Sequence, residues 1–314
     1  MPKVQLKHEV IEAKGNICAL TGEILPDETA LFDTHRKTPK RKNGIYTLRN
    51  TNVALPVAHM VEHGTYRERS EELNKLKTMV DDRSQIMKLK NKINNQILAY
   101  KRGTDNPNTE TVNFLLETLE STESALGKKG RKIEKFIKNM ENPLARAALS
   151  VRSIGPITVA YCLTYIDLEK AKHASSLWSY CGLDKPSHKR YTKGESGGGN
   201  KTLRTILYTM ADSQVKVRGA YRIVYDNVKA RLEKSDKIVE SRNTKGDLVN
   251  VAWKETKPCH RHGAALRAVM KHFLADYWMV GRTLAGLPTS ALYPEAILGG
   301  THRTIMPEER GWIY

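Results

Sequence analysis

Apolar residues recur at helical spacing through the middle of the chain. Between residues 65 and 140 they follow one another at three- and four-residue steps, the period of an amphipathic helix. The stripe is narrow and the other faces carry many charges, so we expect a coiled-coil hairpin or a dimer seam here. Residues 103–110 break the pattern, and further helices are expected from about Thr111 and Arg131. The first stripe consists of Leu73, Leu76, Val80, Ile86, Leu89, Ile93, Ile97 and Tyr100.

Shorter elements of mixed type are predicted before this helical region. Residues 4–14 have the pattern of a short helix ended by Gly15. A second helix is expected over residues 53–63, stopped by Gly64. Residues 1–64 therefore predict a small α+β unit. Its strand candidates are residues 17–20, 31–35 and 45–48.

The pattern after residue 140 predicts a mostly helical domain over residues 141–314. Residues 231–256 are polar and predict a loop or an insertion, and residues 257–288 predict one more apolar-striped helix. Cys259, His260 and His262 stand at the start of this helix. No second soft pair lies at a suitable spacing, so we expect a helix start there and no metal site.

Composition favours a soluble globular chain. Of its 314 residues, 39% are hydrophobic and 27% charged, and no apolar run approaches the length of a membrane-spanning helix. The first residues lack the apolar segment of a signal peptide, so a cytoplasmic location without membrane contact is expected. The four cysteines are too few for a disulfide framework in a chain of this length.

The net charge of +18 favours a polyanionic partner, because each Lys or Arg that neutralises a phosphate releases counterions. The charge is also clustered, which favours nucleic acid over general solvation of a basic surface. One cluster contains Lys37, Lys40, Arg41 and Lys42, a second Lys128, Lys129, Arg131, Lys132 and Lys135, and a third Lys189, Arg190 and Lys193.

Residues 31–64 carry candidate chemistry. Asp33 and His35 lie two apart on a predicted strand, and two asparagines and two histidines follow, the last two on the predicted helix. Oxygen ligands for a hard cation next to an imidazole base are what single-metal cleavage of a phosphodiester requires. The following residues are Asn50, Asn52, His59 and His63.

The string from Leu48 to His63 resembles the end of an HNH, or His-Me finger, endonuclease, in which an Asn precedes a helical His by nine residues. Asn50 and His59 have this spacing. The resemblance implies that His35 is the general base and that Asp33 and His59 bind one Mg²⁺ or Mn²⁺. Asn50 would orient the base or join the metal shell. Asn52 and His63 are additional candidates.

Many members of this family bind a structural zinc through two Cys-x-x-Cys pairs. Here only Cys18 is present, with Thr21, Leu55 and Ala58 in the other positions, so no structural zinc is expected. Two alternatives stay open for the region. In the first, the histidines are ordinary surface or helix residues and the asparagines cap turns. In the second, the finger is inactive and retained only for binding.

A second constellation lies between residues 149 and 214. The segment Ser153-Ile154-Gly155-Pro156 has the pattern of a helix-hairpin-helix turn, in which the backbone at Gly155 would meet a phosphate. A cationic, glycine-rich loop follows and opens onto a helix near Asn200, although a flexible linker between core helices is the alternative. The candidate nucleic-acid-binding residues of this part are His188, Lys189, Arg190, Lys193, Lys201 and Arg204, besides Lys40, Arg41 and Lys42 nearer the N-terminus.

Three motifs follow one another in this region: Leu-x-x-Tyr-x-Gly-Leu, a Gly-rich loop and Gly-Asn-x-x-Leu-Arg. In this order they resemble the C-terminal domain of DEDD-type transposases, the family named after insertion sequences 110, 116 and 902. The resemblance implies DNA binding, assembly of several subunits and an RNA guide. The family's N-terminal RuvC-like domain is missing here. Its nucleophilic serine has no clear counterpart, with Ser187 and Ser196 nearest in the loop.

Together these observations predict a mainly α fold in three parts. They are a ββα-metal finger over residues 1–64, a coiled-coil spacer over 65–140 and a transposase-like helical domain with a helix-hairpin-helix element over 141–314. The predicted activity is metal-dependent DNA hydrolysis by a homodimer or higher homo-oligomer. The alternatives are an inactive nucleic-acid-binding accessory protein of a mobile element and a serine-dependent recombinase.

Overall fold

A computed structural model describes residues 3–25, 33–36, 51–54, 70–103, 109–184, 199–242, 247–290 and 305–314. The chain divides into two compact units, Met1–Ser70 and Glu71–Tyr314. The described residues are mainly helical and contain two small antiparallel sheets, which confirms the predicted fold class at this level. No helix among them is long and apolar enough to cross a membrane.

The first unit begins with helix α1 (Lys3–Lys14), which ends as predicted at Gly15 with a φ of +84°. The strand expected over residues 17–20 is a single bridge between Ile17 and Ile24, because the chain turns back immediately through Gly22. A small core unites this turn with α1 and the sheet that follows. Its buried members are Val10, Cys18, Leu25 and Val53.

Strands β1 (Asp33–Arg36) and β2 (Thr51–Ala54) form the sheet of this unit, and β1 lies largely where it was predicted. Residues 45–48, the third predicted strand, lie outside the described residues. β2 instead occupies the predicted start of the 53–63 helix, so that prediction was wrong at Val53. Val53 is buried, and its carbonyl accepts a hydrogen bond from Ala19 N at 3.0 Å, which holds it in extended conformation.

The second unit begins with the long helices α2 (Glu71–Gly103) and α3 (Thr109–Asn139). Ion pairs join Lys90 to Glu123 and Lys129 to Asp82, so the helices run antiparallel, as expected for a coiled-coil hairpin. The two helices predicted from Thr111 and Arg131 are one continuous helix. Within the predicted stripe Leu76, Val80, Ile93 and Ile97 are buried, whereas Leu89 and Tyr100 are nearly half exposed.

Shorter helices pack against the base of this hairpin. Tyr161 contacts Ser84 through a 2.8 Å hydrogen bond between hydroxyls, and the Tyr165 hydroxyl donates to Asp81 at 2.7 Å. The helices are α4 (Pro143–Ser150), α5 (Pro156–Tyr165), α6 (Ala174–Tyr180), α7 (Lys201–Lys216), α8 (Arg222–Glu233) and α9 (Pro258–Leu284). The contacts of Tyr161 and Tyr165 therefore fix the hairpin to α5.

The polar stretch predicted as a loop over residues 231–256 contains a second hairpin. Strands β3 (Ile238–Arg242) and β4 (Leu248–Ala252) pair with Ile238 opposite Ala252. The alternation of apolar and polar residues in β4 gives this strand one half-buried face, a pattern that the high polarity of the region obscured. The last helix lies close to its predicted position.

Aromatic side chains of α9 form the centre of the second unit. Phe273, Tyr277 and Trp278 are almost completely buried, and Trp312 stacks on Phe273 with 5.9 Å between ring centroids. The C-terminal residues thereby close the core. All four cysteines are free thiols.

Candidate nucleic-acid interface

Helices α4 and α5 are joined by the short turn that the sequence predicted. Asn142 caps α4, its side-chain oxygen accepting from Ala145 N at 2.9 Å. Ser153 lies in the turn with a φ of +73°, and Gly155 is the N-cap of α5 without a side-chain capping bond. A helix N-terminus of this kind favours a phosphate oxygen. Gly155 therefore stays a predicted phosphate contact.

The conformation of this turn is fixed by Gln214, a residue that sequence reasoning missed. Gln214 is fully buried on α7, donates to Arg152 O at 2.9 Å and accepts from Tyr221 N at 3.1 Å. The Ser213 and Ser153 hydroxyls lie 3.2 Å apart beside it. One side chain thus connects the turn to the start of α8. The only sequence signal was an uncharged polar residue at an apolar position of α7.

Gly199 anchors the chain before α7. Its φ is +95°, and a Cβ there would lie 2.7 Å from Gly182 N. Asn200 N donates to Tyr180 O at 2.6 Å, and the Asn200 side chain caps α7 through Leu203 N at 2.9 Å. The glycine is therefore required by a close backbone approach, which argues against a simple flexible linker at this position.

The predicted basic segment begins and ends at neighbouring points. His188, Lys189, Arg190 and Lys193 lie outside the described residues, as do Lys40, Arg41 and Lys42. The described backbone leaves at Asp184 and returns at Gly199, which lies against Gly182. Arg204 donates to Gly182 O at 3.1 Å, so this predicted contact lies beside both ends of the segment. Lys201 is exposed in the first turn of α7.

Two half-buried cations that the sequence analysis did not single out, Arg267 and Lys271, lie one turn apart on α9. Burial lowers the pKa of Arg267, and the neighbouring charge of Arg204 lowers it further. Burial and the charge of Arg267 lower the pKa of Lys271, whereas Asp184 opposes this shift. Like charges in half-buried positions favour an anionic ligand. The sequence indicated them only as two basic residues four positions apart on an otherwise apolar helix.

The first unit contains part of the predicted nuclease constellation. Asp33 and His35 occupy alternate positions of β1, and His35 is paired with Asn52 of β2. Asn50, His59 and His63 lie outside the described residues. Within the part of the chain that the structure describes, no three His, Cys, Asp or Glu side chains come together as a metal site. The catalytic and metal-binding roles therefore stay predictions.

The two histidines at the start of α9 have separate partners. His260 Nδ1 lies 2.8 Å from the Ser241 hydroxyl, and His262 Nδ1 lies 2.8 Å from the Tyr225 hydroxyl. The helix begins at Pro258, as expected from the sequence. These contacts hold β3 and α8 against α9.

Comparison with known protein families supports part of these assignments. Residues 145–225 match the family model described as Transposase IS116/IS110/IS902 family. This segment extends from α4 into α8 and is about a quarter of the chain. The match supports the transposase-like character predicted for this part, and a transposase domain implies DNA binding. The likeness of the N-terminal region to HNH nucleases stays a prediction. No curated protein was found to match the chain.

Proposed function

We propose that this chain binds DNA through residues 143–216 and cleaves it with an HNH-type site in residues 1–64. The observation that carries the DNA-binding part is the match of residues 145–225 to a transposase family, in a segment where the exposed Lys201 and the half-buried Arg204 offer contacts to phosphates. Phosphate contacts of this kind position a protein on DNA and carry little sequence information.

The interface consists of the α4–α5 turn, Lys201 and Arg204, together with the basic segment between Asp184 and Gly199. Positive charge and a helix N-terminus both favour the DNA backbone, because each contact neutralises a phosphate and releases counterions. The net charge of +18 adds long-range attraction. Gly155, Lys201 and Arg204 are the described residues through which we expect the DNA backbone to be held.

The cleavage part of the proposal is supported by the β1–β2 hairpin and by donor chemistry. The hairpin pairs His35 with Asn52 and places Asp33 two positions before His35. A carboxylate and an imidazole fit Mg²⁺ or Mn²⁺, so Asp33 and His59 would hold the ion. A bound ion would stabilise the negative charge that develops on the phosphate. His35 would accept a proton from the attacking water, and Asn50 would orient it.

We also propose that two or more copies of the chain assemble. The contact would form at the end of the α2–α3 hairpin where the two helices are connected. Large apolar side chains are exposed on both helices close to the connection between them, and such a patch favours a protein contact. A dimer would bring two nuclease units to one DNA molecule. The exposed residues are Leu98 at 47%, Tyr100 at 45%, Phe114 at 67% and Leu116 at 42%.

The test of the proposed activity is incubation of supercoiled plasmid with the full chain and Mg²⁺ or Mn²⁺. We expect nicked or linear DNA, no product with EDTA, and a loss of roughly a hundredfold or more in His35→Ala, since the general base is removed. His173→Ala is the matched control, because His173 is exposed and far in sequence from the predicted site. It should cleave as the wild type does.

A gel-shift assay in EDTA separates binding from cleavage. Equal DNA binding by the wild type and His35→Ala, with cleavage only by the wild type, is the expected result. Cleavage unchanged in His35→Ala would contradict the assigned base. Binding without cleavage by any form identifies a nucleic-acid-binding accessory protein instead. No DNA binding by the wild type refutes the proposal as a whole.

A further inference from the structure

A cavity of about 910 Å³ lies in the second unit between α8, β3 and α9, next to the residues that follow α6. Its volume is in the range of pockets that enclose a whole small molecule or a nucleotide. The cavity lies beside Asp184, where the described chain leaves toward the predicted basic segment. The polar lining includes Arg231, Lys237, His260, Arg267 and Lys271.

Positive charge exceeds negative charge in this lining. Four Lys or Arg residues line the cavity, and the acidic residues are Asp184 and Glu240. Asp184 is exposed and accepts a hydrogen bond from the Ser179 hydroxyl at 2.9 Å. Among the described residues no ion pair neutralises Arg267. An anion in the cavity would relieve the repulsion between Arg267 and its cationic neighbours.

Lys271 is held in place by an aromatic side chain. Its ammonium lies 5.2 Å from the centre of the Trp178 ring, and Trp178 Nε1 donates to Lys271 O at 3.0 Å. Arg267 lies one helical turn earlier and is half-buried, like Lys271. The two cationic groups therefore form a positioned pair on one face of a long helix. Such a pair suits the oxygens of one phosphate.

The lining also contains apolar and aromatic side chains. Trp253 follows β4 and is half-buried, and Val228, Leu232 and Ala268 line the cavity as well. Aromatic rings bind exposed nucleobases by stacking, and this contact tolerates any base. A base inside a duplex is already stacked on its neighbours and would have to leave the helix to reach a concave site.

We propose that this cavity receives an unpaired nucleotide of a nucleic-acid strand, with its phosphate on Arg267 and Lys271 and its base against Trp253. The assignment extends the nucleic-acid-binding function proposed above and depends on it. It differs from that function in predicting a preference for single-stranded over double-stranded segments at this one site. DNA and RNA strands share the phosphate and base chemistry, so both are included in the test.

Fluorescence anisotropy with the full chain tests the proposal. The probes are a labelled single-stranded DNA 20-mer, the same sequence as RNA, and the corresponding DNA duplex. Arg267→Met and Lys271→Met should each weaken binding of a single-stranded probe roughly tenfold, because a charged hydrogen bond is lost. Trp253→Ala should weaken it by roughly five- to a hundredfold through lost stacking. Duplex binding should change less than twofold.

Lys172→Met is the matched control, since Lys172 is exposed and does not line the cavity. It should leave single-strand binding within twofold of the wild type, and circular dichroism melting should show that all variants are folded. Preference for the DNA or the RNA strand identifies which source supplies the nucleotide. A 2-aminopurine base in the preferred strand should lose fluorescence on binding the wild type and regain it with Trp253→Ala.

Two results would overturn this inference while leaving the proposed function intact. One is that Arg267→Met, Lys271→Met and Trp253→Ala, all folded, bind the single-stranded probe with the same affinity as the wild type. The other is an equal loss of single-strand and duplex binding, which would make these cations ordinary backbone contacts. If the wild type binds none of the three probes, the proposed function fails and this inference fails with it.

Discussion

At the scale of single residues, a buried ion pair holds the C-terminus to α9. Arg310 and Asp276 are 6% and 2% exposed, and Arg310 Nη1 donates to both carboxylate oxygens at 2.8 and 2.9 Å. The Tyr221 hydroxyl also donates to Asp276 at 2.6 Å and accepts from Trp312 Nε1 at 2.9 Å. Burial raises the pKa of Asp276 to about 6, although Arg310 and Tyr221 oppose the rise.

The stability of the protein should therefore depend on pH through Asp276. Its pKa is about 6 in the folded state and near 3.8 in the unfolded chain, so the folded state holds the proton more tightly between these values. This contribution is present at low pH and is lost as the pH rises through 6. The free energy of unfolding of the wild type, relative to Asp276→Asn, should fall by on the order of 1–3 kcal/mol from pH 5 to pH 7.

Urea unfolding at pH 5, 6 and 7 measures this difference. The asparagine side chain has a similar shape and does not titrate, so contributions from all other groups cancel in the comparison. A gap between the two proteins that is the same at every pH would show that Asp276 keeps an ordinary pKa.

At the scale of elements, glycines have opposite roles in two places. Gly199 precedes α7 and has a positive φ, and it lies against backbone atoms of Gly182. Gly130 lies inside α3, where an added Cβ would have no atom within 4 Å. The first glycine is required by its conformation and packing. The second weakens its helix, because glycine has the greater conformational freedom in the unfolded chain.

The same substitution at these two positions should change stability in opposite directions. Gly199→Ala should lower the free energy of unfolding by about 1–3 kcal/mol, through backbone strain and the clash with Gly182. Gly130→Ala should raise it by about 0.5–1 kcal/mol. Thermal or urea unfolding measures both variants. Equal effects of the two changes would contradict the close approach at Gly199.

At the scale of the whole molecule, the candidate cations and the exposed apolar end of the hairpin lie in different parts of the second unit. The half-buried cations of α7 and α9 lie in the part packed on α5 and α6. The exposed residues Leu98 and Phe114 lie near the connection between the helices of the α2–α3 hairpin. Under the proposed function, the first part would hold nucleic acid and the second would contact another copy of the chain.

Charged substitutions at the end of the hairpin should therefore dissociate the proposed oligomer. Leu98→Lys and Phe114→Lys should each raise the dissociation constant of the dimer at least roughly tenfold, because buried apolar area is lost and a charge is introduced. Sedimentation equilibrium over a range of concentrations measures the constant. Ile223→Lys is the control, since Ile223 is 57% exposed on α8. A wild type that is monomeric throughout would refute the proposed assembly.

Several elements were predictable because the information that specifies them is local in the chain. The apolar period of α2 and α9, the stop at Gly15 and the turn around Gly155 were all predictable, because periodicity and backbone preference act within a few residues. Motif order also predicted the transposase-like segment. The candidate cations Lys201 and Arg204 were identified for the same reason, from their place after a glycine-rich stretch.

Other features depend on residues distant in the chain, and they became visible only when the packing of the helices and strands was known. Val53 is a strand residue because its buried side chain and a bond from Ala19 outweigh the local helical pattern. Gln214 acquires its role from Arg152 and Tyr221, and Arg267 and Lys271 become a candidate site where α9 packs beside α7. Long-range packing brings these groups together and sets how deeply they are buried. Burial in turn raises the free energy of the charged forms of Arg267 and Lys271.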